Sequence, residues 1–235
     1  MKKTIKPFKA PPKKFQPKGL PVIYEDHDLI VVDKREGLLT VRTETVKENT
    51  ALHLLNLYMR KGNPKSTAQV FVVHRLDRET SGVLLFAKTE AAKAYLMEEW
   101  KNFTKKYYAI VHGILPEKEG VITSYLTENS IHRMYSVADP EKGKFAKTGY
   151  RVLKESKGYS LLEVDLYTGK KNQIRVHFSE KGFPVAGDRM YGSKDKFIKR
   201  LTLHSASITI THPYTHELMT FEAKLPTYFD TFFKS

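Results

Sequence analysis

Two short apolar runs, AQVFVV at residues 68–73 and VLLFA at residues 83–87, flank the charged segment HRLDRETSG at residues 74–82. Apolar runs of this length that are rich in Val and Phe are typical of strands buried in a sheet. The charged segment ends in Thr-Ser-Gly, which supplies the small and polar residues of a turn. We therefore expect the chain to leave one strand, pass through the charged segment and re-enter the sheet.

The rest of the hydrophobic pattern favours a strand-rich domain. The β-rich runs that predict strands lie at residues 28–34, 68–74, 83–89, 105–113, 145–154, 159–167 and 202–210. Apolar residues at helical spacing predict helices at residues 50–60, 90–102 and 172–182, with Gly182 as the stop of the third. Because strands outnumber helices and many connections are short, the expected fold class is α+β with a mixed, largely antiparallel sheet flanked by helices.

The composition excludes several kinds of site. The chain of 235 residues contains no cysteine, which removes disulfides, thiolate nucleophiles and Cys-ligated zinc and fits a reducing compartment. Its longest apolar run is residues 83–87, whereas a membrane helix needs about 20 residues. The basic N-terminus is not followed by the apolar segment of a secretory signal. We therefore expect a cytoplasmic protein that does not associate with membranes.

Positive charge is concentrated at the N-terminus. Lys and Arg number 40 against 26 Asp and Glu, a net charge of +14, and residues 1–20 hold seven lysines, four prolines and no acid. Such a segment has little apolar surface to bury, so we expect a disordered or polyproline II arm at 1–20 and one folded domain at 21–235. The charge favours RNA or DNA as a partner, and the arm either lies along phosphates or is a solubilising tail.

Asp77 stands out within the charged segment because Arg75 and Arg78 flank it just beyond a strand. Nearby cations favour the ionised carboxylate, which suits a nucleophile or a base better than an acid. The structural alternative is an Asp that caps the turn and pairs with an Arg.

A second candidate segment is TGKKNQIRVHF at residues 168–178, where a glycine turn opens a helix that has two lysines before it. Lysines at this end oppose the helix dipole, which hints at an anionic ligand, although an exposed cationic stripe would give the same pattern. Arg175 is suited to pair with a carboxylate through two hydrogen bonds. The sequence has no nucleotide-binding glycine pattern, and in HPYTH at 212–216 the proline disfavours a helical metal-ligand pair, so no metal is expected.

Together these segments resemble the RluA class of pseudouridine synthases. HRLDRETSG matches that family's H-R-L-D-x-x-T-S-G signature at every specified position. The other family blocks follow in the expected order, namely YEDHDLIVVDKREGLLT (24–40), KKYYAIVHG (105–113), AKTGYRVL (146–153), TGKKNQIRVH (168–177), GDRMYG (187–192) and LHSASITITHP (203–213). The resemblance spans almost everything after the arm and implies the pseudouridine synthase fold with its curved sheet.

The resemblance implies a role for each site residue. Asp77 would be the catalytic nucleophile, Tyr107 would lie against the flipped uracil, and Arg175 would pair with Asp77. Arg75 would enter the RNA stack as the uridine leaves it, and His74 would shape the loop beside the RNA. The remaining expected RNA contacts are Lys170, Lys171, Asn172 and Arg189. The isomerisation of uridine to pseudouridine needs no cofactor.

The expected substrate is a uridine in a stem-loop of ribosomal RNA or tRNA, because flipping a base costs least in a loop. Two departures from the family pattern, KREG at 34–37 and Asn172, put local RNA contacts in doubt but remove no catalytic residue. The 20 residues of the arm are too few to fold as an S4-like RNA-binding module, so we expect the chain to resemble the shorter members of the class and to be a monomer. Two alternatives stay open: a non-catalytic RNA-binding or chaperone protein on the same fold, and a glycosylase that would release the uracil.

Overall fold

The computed structural model describes residues 11–12, 16–192 and 198–233. Most of the predicted arm, residues 1–10 and 13–15, lies outside the described residues, so the arm stays a prediction. The chain divides into two compact units. The first unit holds the described residues up to Trp100 together with Ile210–Ala223, and the second holds Lys101–Thr209 and the residues from Lys224 onward. One domain over 21–235 also stays a prediction.

Strands predominate over helices in the described chain. The strands are β1 (Val22–Glu25), β2 (Leu29–Lys34), β3 (Phe71–Val72), β4 (Ser81–Ala87), β5 (Thr104–His112), β6 (Glu119–Glu128), β7 (Met134–Val137), β8 (Lys144–Ser156), β9 (Tyr159–Leu166), β10 (Leu203–Thr211) and β11 (Leu218–Glu222). The α-helices are α1 (Ala51–Arg60), α2 (Glu90–Glu99) and α3 (Gln173–Glu180), and short 3-10 helices cover Trp100–Asn102 and Thr227–Phe232. No helix among these elements is long and apolar enough to span a membrane.

The first unit is built on β2 and β4, whose residues are almost all buried. β2 pairs antiparallel with both β1 and β4, and β3 pairs antiparallel with β4. Both helices of this unit begin at a threonine that caps the first turn: the Thr50 hydroxyl accepts a hydrogen bond from the amide of His53, and the Thr89 hydroxyl accepts one from the amide of Ala92. Helix α2 packs on β3 and β4, and β11 packs beside β1 and β4.

The second unit is an antiparallel sheet in the strand order β10-β5-β9-β8-β6-β7. Helix α3 packs on β6, β7 and β8. A buried cluster beneath the helix comprises Leu126, Met134, Ala146, Val176 and Tyr191. Paired residues of neighbouring strands share a face, so Tyr107 of β5 lies on the same face as its partner Val164 and as Tyr150, which contacts Phe178 of α3. The α+β class and the largely antiparallel sheet are confirmed.

The predicted strand at 68–74 is mostly wrong, because only Phe71–Val72 pairs as a strand. Side chains accept hydrogen bonds from backbone amides that would otherwise pair with a neighbouring strand in a longer β-ladder. The Asn56 carbonyl oxygen accepts the amide of Val70 at 2.8 Å, and the ring of His74 accepts the amide of Leu85 in β4 at 3.0 Å. The pattern also missed β1, β6, β7 and β11, whereas the other six predicted strands and the three helices are present with shifted ends.

Candidate active site

The backbone on both sides of Asp77 is held by hydrogen bonds within the first unit. The hydroxyl of the buried Thr40 donates to the carbonyl of Leu76 at 2.9 Å and accepts its amide at 3.1 Å. After Asp77, the carbonyl of Arg78 accepts the amide of Gly37 at 2.8 Å. The amide of Thr80 donates to the Asp77 carbonyl at 3.2 Å and closes the predicted turn. Asp77 is thus carried on a loop of defined shape, with its side chain partly buried.

Lys34 is fully buried under this loop. Its ammonium donates to three backbone carbonyls: Arg35 at 3.1 Å, Leu38 at 2.8 Å and Arg78 at 3.2 Å. Burial lowers the pKa of Lys34 to about 8, although the negative charge of Asp77 acts in the opposite direction. A buried cation therefore bonds to the loop one residue beyond Asp77. Sequence reasoning noted the KREG segment but assigned no role to Lys34.

His74 and Arg75 differ in exposure. The His74 Nε2 accepts the amide of Leu85 at 3.0 Å, and its ring stacks on Trp100 with the ring centroids 4.5 Å apart. These contacts tie His74 to β4 and to Trp100, and its role in shaping the loop stays a prediction. Arg75 is exposed on the loop, where its side chain is accessible to a ligand. An RNA contact of either residue stays a prediction.

Tyr107 and Arg175 belong to the second unit. Tyr107 lies on β5 between Val164 and Ser205 of the adjacent strands, and only 7% of its surface is exposed. Arg175 lies on α3, and 6% of its surface is exposed. Asp77 is in the first unit, on the loop described above. The pairing of Asp77 with Arg175 stays a prediction.

Asp188 holds Arg175 through two hydrogen bonds. The Arg175 Nε donates to Asp188 Oδ2 at 2.7 Å and Nη2 donates to Oδ1 at 2.9 Å. Asp188 Oδ1 also accepts the amides of Met190 at 2.9 Å and Tyr191 at 3.0 Å. Burial by itself would raise the pKa of Asp188, but the hydrogen bonds and charge of Arg175 outweigh it and hold that pKa below its usual value. Sequence reasoning missed Asp188, although it lies in the GDRMYG block.

The N-terminal end of α3 carries the predicted cations. Asn172 is the N-cap in a left-handed conformation, with φ at 53°, and its side chain does not cap the helix. Lys171 is exposed, and its ammonium bonds to Glu128 Oε1 at 2.5 Å and to the carbonyl of His132 at 3.1 Å. The Lys170 amide donates to the Gln173 side-chain oxygen at 3.0 Å. The dipole-opposing charge of Lys171 is therefore largely compensated by Glu128.

A buried polar network fixes α3 to β8. The Gln173 amide nitrogen donates to the carbonyl of Lys147 at 3.0 Å and to the Thr148 hydroxyl at 2.9 Å. His177 lies with Nδ1 2.9 Å from the Thr148 hydroxyl and Nε2 3.0 Å from the Ser124 hydroxyl. Burial lowers the pKa of His177 to about 4, so its ring is neutral at pH 7. The predicted RNA contact Arg189 is exposed, near the end of this region.

One group of potential metal ligands occurs among the described residues, and it is used for hydrogen bonding. It consists of Asp26, Asp28 and His212. The His212 Nδ1 accepts the amides of Tyr214 at 3.2 Å and Thr215 at 3.1 Å, so the ring proton is on Nε2, which donates to Asp26 at 2.8 Å. These bonds occupy both ring nitrogens, and the group fixes a turn of the first unit.

Comparison with known proteins identifies the family. Residues 28–180 match the sequence family described as RNA pseudouridylate synthase. The chain is 34% identical over 224 residues to YlyB, an uncharacterized RNA pseudouridine synthase of Bacillus subtilis, a match that covers 90% of this chain and 71% of that protein. It is 31% identical over 234 residues to the ribosomal large subunit pseudouridine synthase D of Pasteurella multocida, covering 92% of this chain and 71% of that one.

Solved structures agree with the sequence matches. Human RNA pseudouridylate synthase domain containing 1 superposes with a TM-score of 0.72 at 26% identity, over 91% of this chain and 86% of that chain. Human RNA pseudouridylate synthase domain containing 4 superposes with a TM-score of 0.74 at 22% identity, over 88% and 89%, and shows the same fold. The chain therefore belongs to the RNA pseudouridylate synthase family, in the RluA class that its motifs indicate, and is an isomerase that acts on RNA.

Proposed function

We propose that this enzyme flips a uridine out of a structured RNA and converts it to pseudouridine with Asp77 as the nucleophile. The observation that carries the proposal is the fixed backbone around Asp77, which Thr40 holds on one side and Lys34 on the other. A nucleophile must be held close to its productive geometry, because a displacement of about 1 Å can reduce the rate by about 100-fold. The loop meets this requirement through hydrogen bonds of its backbone to Thr40, Lys34 and Gly37.

The proposed chemistry uses only a carboxylate and a proton transfer. In one route the Asp77 carboxylate attacks C1′ as the C1′–N1 bond breaks, and the bond from the carboxylate to C1′ breaks when C5 bonds to C1′. In the other route Asp77 takes the C2′ proton as the C1′–N1 bond breaks, which leaves a glycal, and C2′ regains that proton when C5 bonds to C1′. In both routes the detached uracil turns before it bonds again, and afterwards the proton on C5 leaves while N1 gains one. No group is oxidised or reduced. Arg175, held by two hydrogen bonds to Asp188, offers a fixed guanidinium to pair with the nucleophile.

Tyr107 and Arg75 suit the flipped base and the space it leaves. Tyr107 is a nearly buried aromatic ring on a strand, a position that favours a stacking surface over a solvent contact. Arg75 is exposed, and its planar guanidinium can stack on the bases that remain in the RNA. Flipping costs a few kcal/mol and least in a loop, so a stem-loop is the proposed substrate.

The proposed substrate class is ribosomal RNA or tRNA. The relative from Pasteurella multocida is named for the large ribosomal subunit, which makes a ribosomal stem-loop the first RNA to test. Pseudouridine mapping by carbodiimide treatment and reverse transcription would compare total RNA from cells with and without the gene. Loss of one or a few stops identifies the modified uridine, whereas an unchanged pattern would favour the RNA-binding or chaperone function.

The nucleophile is tested by Asp77→Asn in the purified enzyme. We expect turnover to fall by at least about 1,000-fold, because the amide cannot attack C1′, while RNA affinity stays within a few fold. Asp230→Asn, at an exposed aspartate, is the matched control and should keep full turnover. Mass spectrometry of the digested RNA separates the alternatives, since an isomerase keeps the base and a glycosylase releases it. Substantial turnover by Asp77→Asn would refute the nucleophile assignment.

A further inference from the structure

The turn between β6 and β7 is a small, well-ordered structure. The Asn129 side-chain oxygen accepts the amides of Ile131 at 3.1 Å and Arg133 at 2.9 Å. The Asn129 amide donates to the Arg133 carbonyl at 3.0 Å, and the His132 amide donates to the Asn129 carbonyl at 3.0 Å. His132 takes the left-handed conformation, with φ at 60°. These bonds within residues 129–133 hold the tip of the hairpin in one conformation.

The turn is tied to the part of the second unit that carries Arg175. Lys171, just before α3, bonds to Glu128 and to the carbonyl of His132. The Met134 amide donates to the Tyr191 hydroxyl at 2.9 Å. The Tyr191 ring also has two guanidinium neighbours, with the Cζ of Arg133 5.1 Å and that of Arg175 5.2 Å from its centroid. The turn is thus coupled through one aromatic ring to the predicted catalytic arginine.

The turn presents an apolar side chain and a cation to solvent. Ile131 is 76% exposed at the tip, and Arg133 is exposed beside it. Within the part of the chain that the structure describes, Arg133 makes no ion pair with a carboxylate. Arg175, on the same ring, is instead buried against Asp188. Of the two guanidinium groups at Tyr191, one is therefore fixed internally and the other is positioned to bind an external anion.

We propose that the turn 129–133 is an RNA contact in which Arg133 binds a phosphate and Ile131 packs on a base that neighbours the target uridine. The inference rests on the proposed function, because it takes the region of Arg175 to lie at the RNA. The Arg133 guanidinium lies over the Tyr191 ring, and a guanidinium placed in this way can donate two parallel hydrogen bonds to a phosphate. An exposed β-branched side chain on a rigid turn can pack against unstacked bases with little loss of its own entropy.

RNA affinity tests the two residues separately. The probe is a fluorescein-labelled RNA stem-loop with uridines in its loop, titrated with the full-length protein at several KCl concentrations. Arg133→Gln should weaken binding by about 10-fold and reduce the log-log salt slope by about 0.7–0.9, the value for one phosphate contact. Arg133→Lys should keep the salt slope. Ile131→Ser should weaken binding by about 10-fold with an unchanged salt slope, because only apolar contact is lost.

Matched controls separate a specific contact from a general surface effect. Leu218→Ser removes an aliphatic side chain that is also 76% exposed, and Arg60→Gln removes an exposed arginine at the end of α1; both should keep the affinity of the unmodified protein. Unchanged affinity in Arg133→Gln and Ile131→Ser, or equal losses in the controls, would overturn the proposal. A fall of kcat at saturating RNA with unchanged affinity would also overturn it, because Arg133 would then act through Tyr191.

The proposed function and this inference fail in different ways. Affinity is measured without turnover, so the role of the turn is decided even if the protein makes no pseudouridine in the probe. If the unmodified protein produces pseudouridine and the variants bind normally, only the turn assignment is wrong.

Discussion

The Asp77 loop and helix α3 are both held firmly, but by different kinds of contact. Thr40 and Lys34 hold the loop through its backbone amides and carbonyls. Arg175 on α3 is held through its side chain, by the carboxylate of Asp188. The loop is therefore supported through backbone groups on both sides of Asp77, whereas Arg175 on α3 is bonded through its charged side chain to a buried carboxylate.

Because the two regions are supported differently, substitutions in them should affect different properties, turnover in one and stability in the other. Asp77→Asn leaves the backbone hydrogen bonds of Thr40 and Lys34 to the loop in place, so we expect its main effect to be on turnover. A buried ion pair is costly when one partner is removed, because the other charge is left without compensation in a medium of low polarity. The same kind of substitution, carboxylate to amide, should thus have opposite consequences at Asp77 and at Asp188.

The largest expected effect on stability is that of Asp188→Asn. The substitution removes the carboxylate charge that accepts two hydrogen bonds from the buried Arg175 guanidinium, and we expect the free energy of unfolding to fall by about 3–5 kcal/mol. Urea unfolding followed by circular dichroism measures it. Asp165→Asn is the control, since its carboxylate lies 4.0 Å from Lys106 at the surface and should contribute no more than about 1 kcal/mol. If both variants were equally stable, Arg175 would not depend on Asp188.

A pH dependence of stability should follow from His177 on α3. The pKa of His177 is about 4 in the folded protein and 6.5 in an unfolded chain. At pH values between 4 and 6.5 the ring is therefore protonated in the unfolded chain and neutral in the folded protein. Stability is fully present above about pH 6.5 and falls as the pH drops toward 4, by about 3 kcal/mol. His177→Gln should flatten this dependence, which urea unfolding at a series of pH values between 4 and 7 measures. An identical slope in the two proteins would contradict the assignment.

The sequence alone indicates the fold class and the positions of the motif residues. Buried strands such as β2 and β4 are nearly continuous apolar runs, and α3 ends at Glu180, two residues before Gly182, whose φ of +83° favours a glycine. β6 was missed because it is only half buried: its residues Glu119, Thr123 and Glu128 are exposed, so the apolar alternation is incomplete. Strand patterns report burial, and a strand that faces solvent on one side with few apolar residues on the other gives a weak signal.

The supports of the candidate site are less accessible to sequence reasoning than its motif residues. Thr40 lies 36 residues before Leu76, and Lys34 lies 44 residues before Arg78, so nothing local connects them to the loop. Asp188 lies only 13 residues after Arg175, in the GDRMYG block. In that block the RNA-contact prediction was assigned to the positively charged Arg189, and no role was assigned to Asp188. Long-range partners of this kind become visible only when the fold brings the segments together.

The smallest expected effect on stability is that of Lys34→Met. This substitution tests the support of the Asp77 loop, because Lys34 bonds to the Arg78 carbonyl in it. Removing a buried charge relieves its desolvation but takes a donor from the carbonyls of Arg35, Leu38 and Arg78, so the two effects offset each other to within about 1–2 kcal/mol. Turnover should nevertheless fall by about 10-fold or more, because the Arg78 carbonyl next to Asp77 then keeps the Gly37 amide as donor but loses the Lys34 ammonium. Stopped-time assays at a temperature where the variant is folded measure this loss.

Two controls show that Lys34 acts through the loop. Lys88→Met removes another largely buried lysine of the first unit, which pairs with Glu25 at 2.8 Å, and should cost stability but keep turnover. The pKa of Lys34 is about 8 when folded and 10.5 when unfolded, so the unfolded chain binds the extra proton in this interval and stability should rise from pH 8 to 10.5. Lys34→Met should lack this rise. A variant with full turnover would show that the loop needs no buried cation, and the backbone hydrogen bonds of Thr40 would then be its sufficient support.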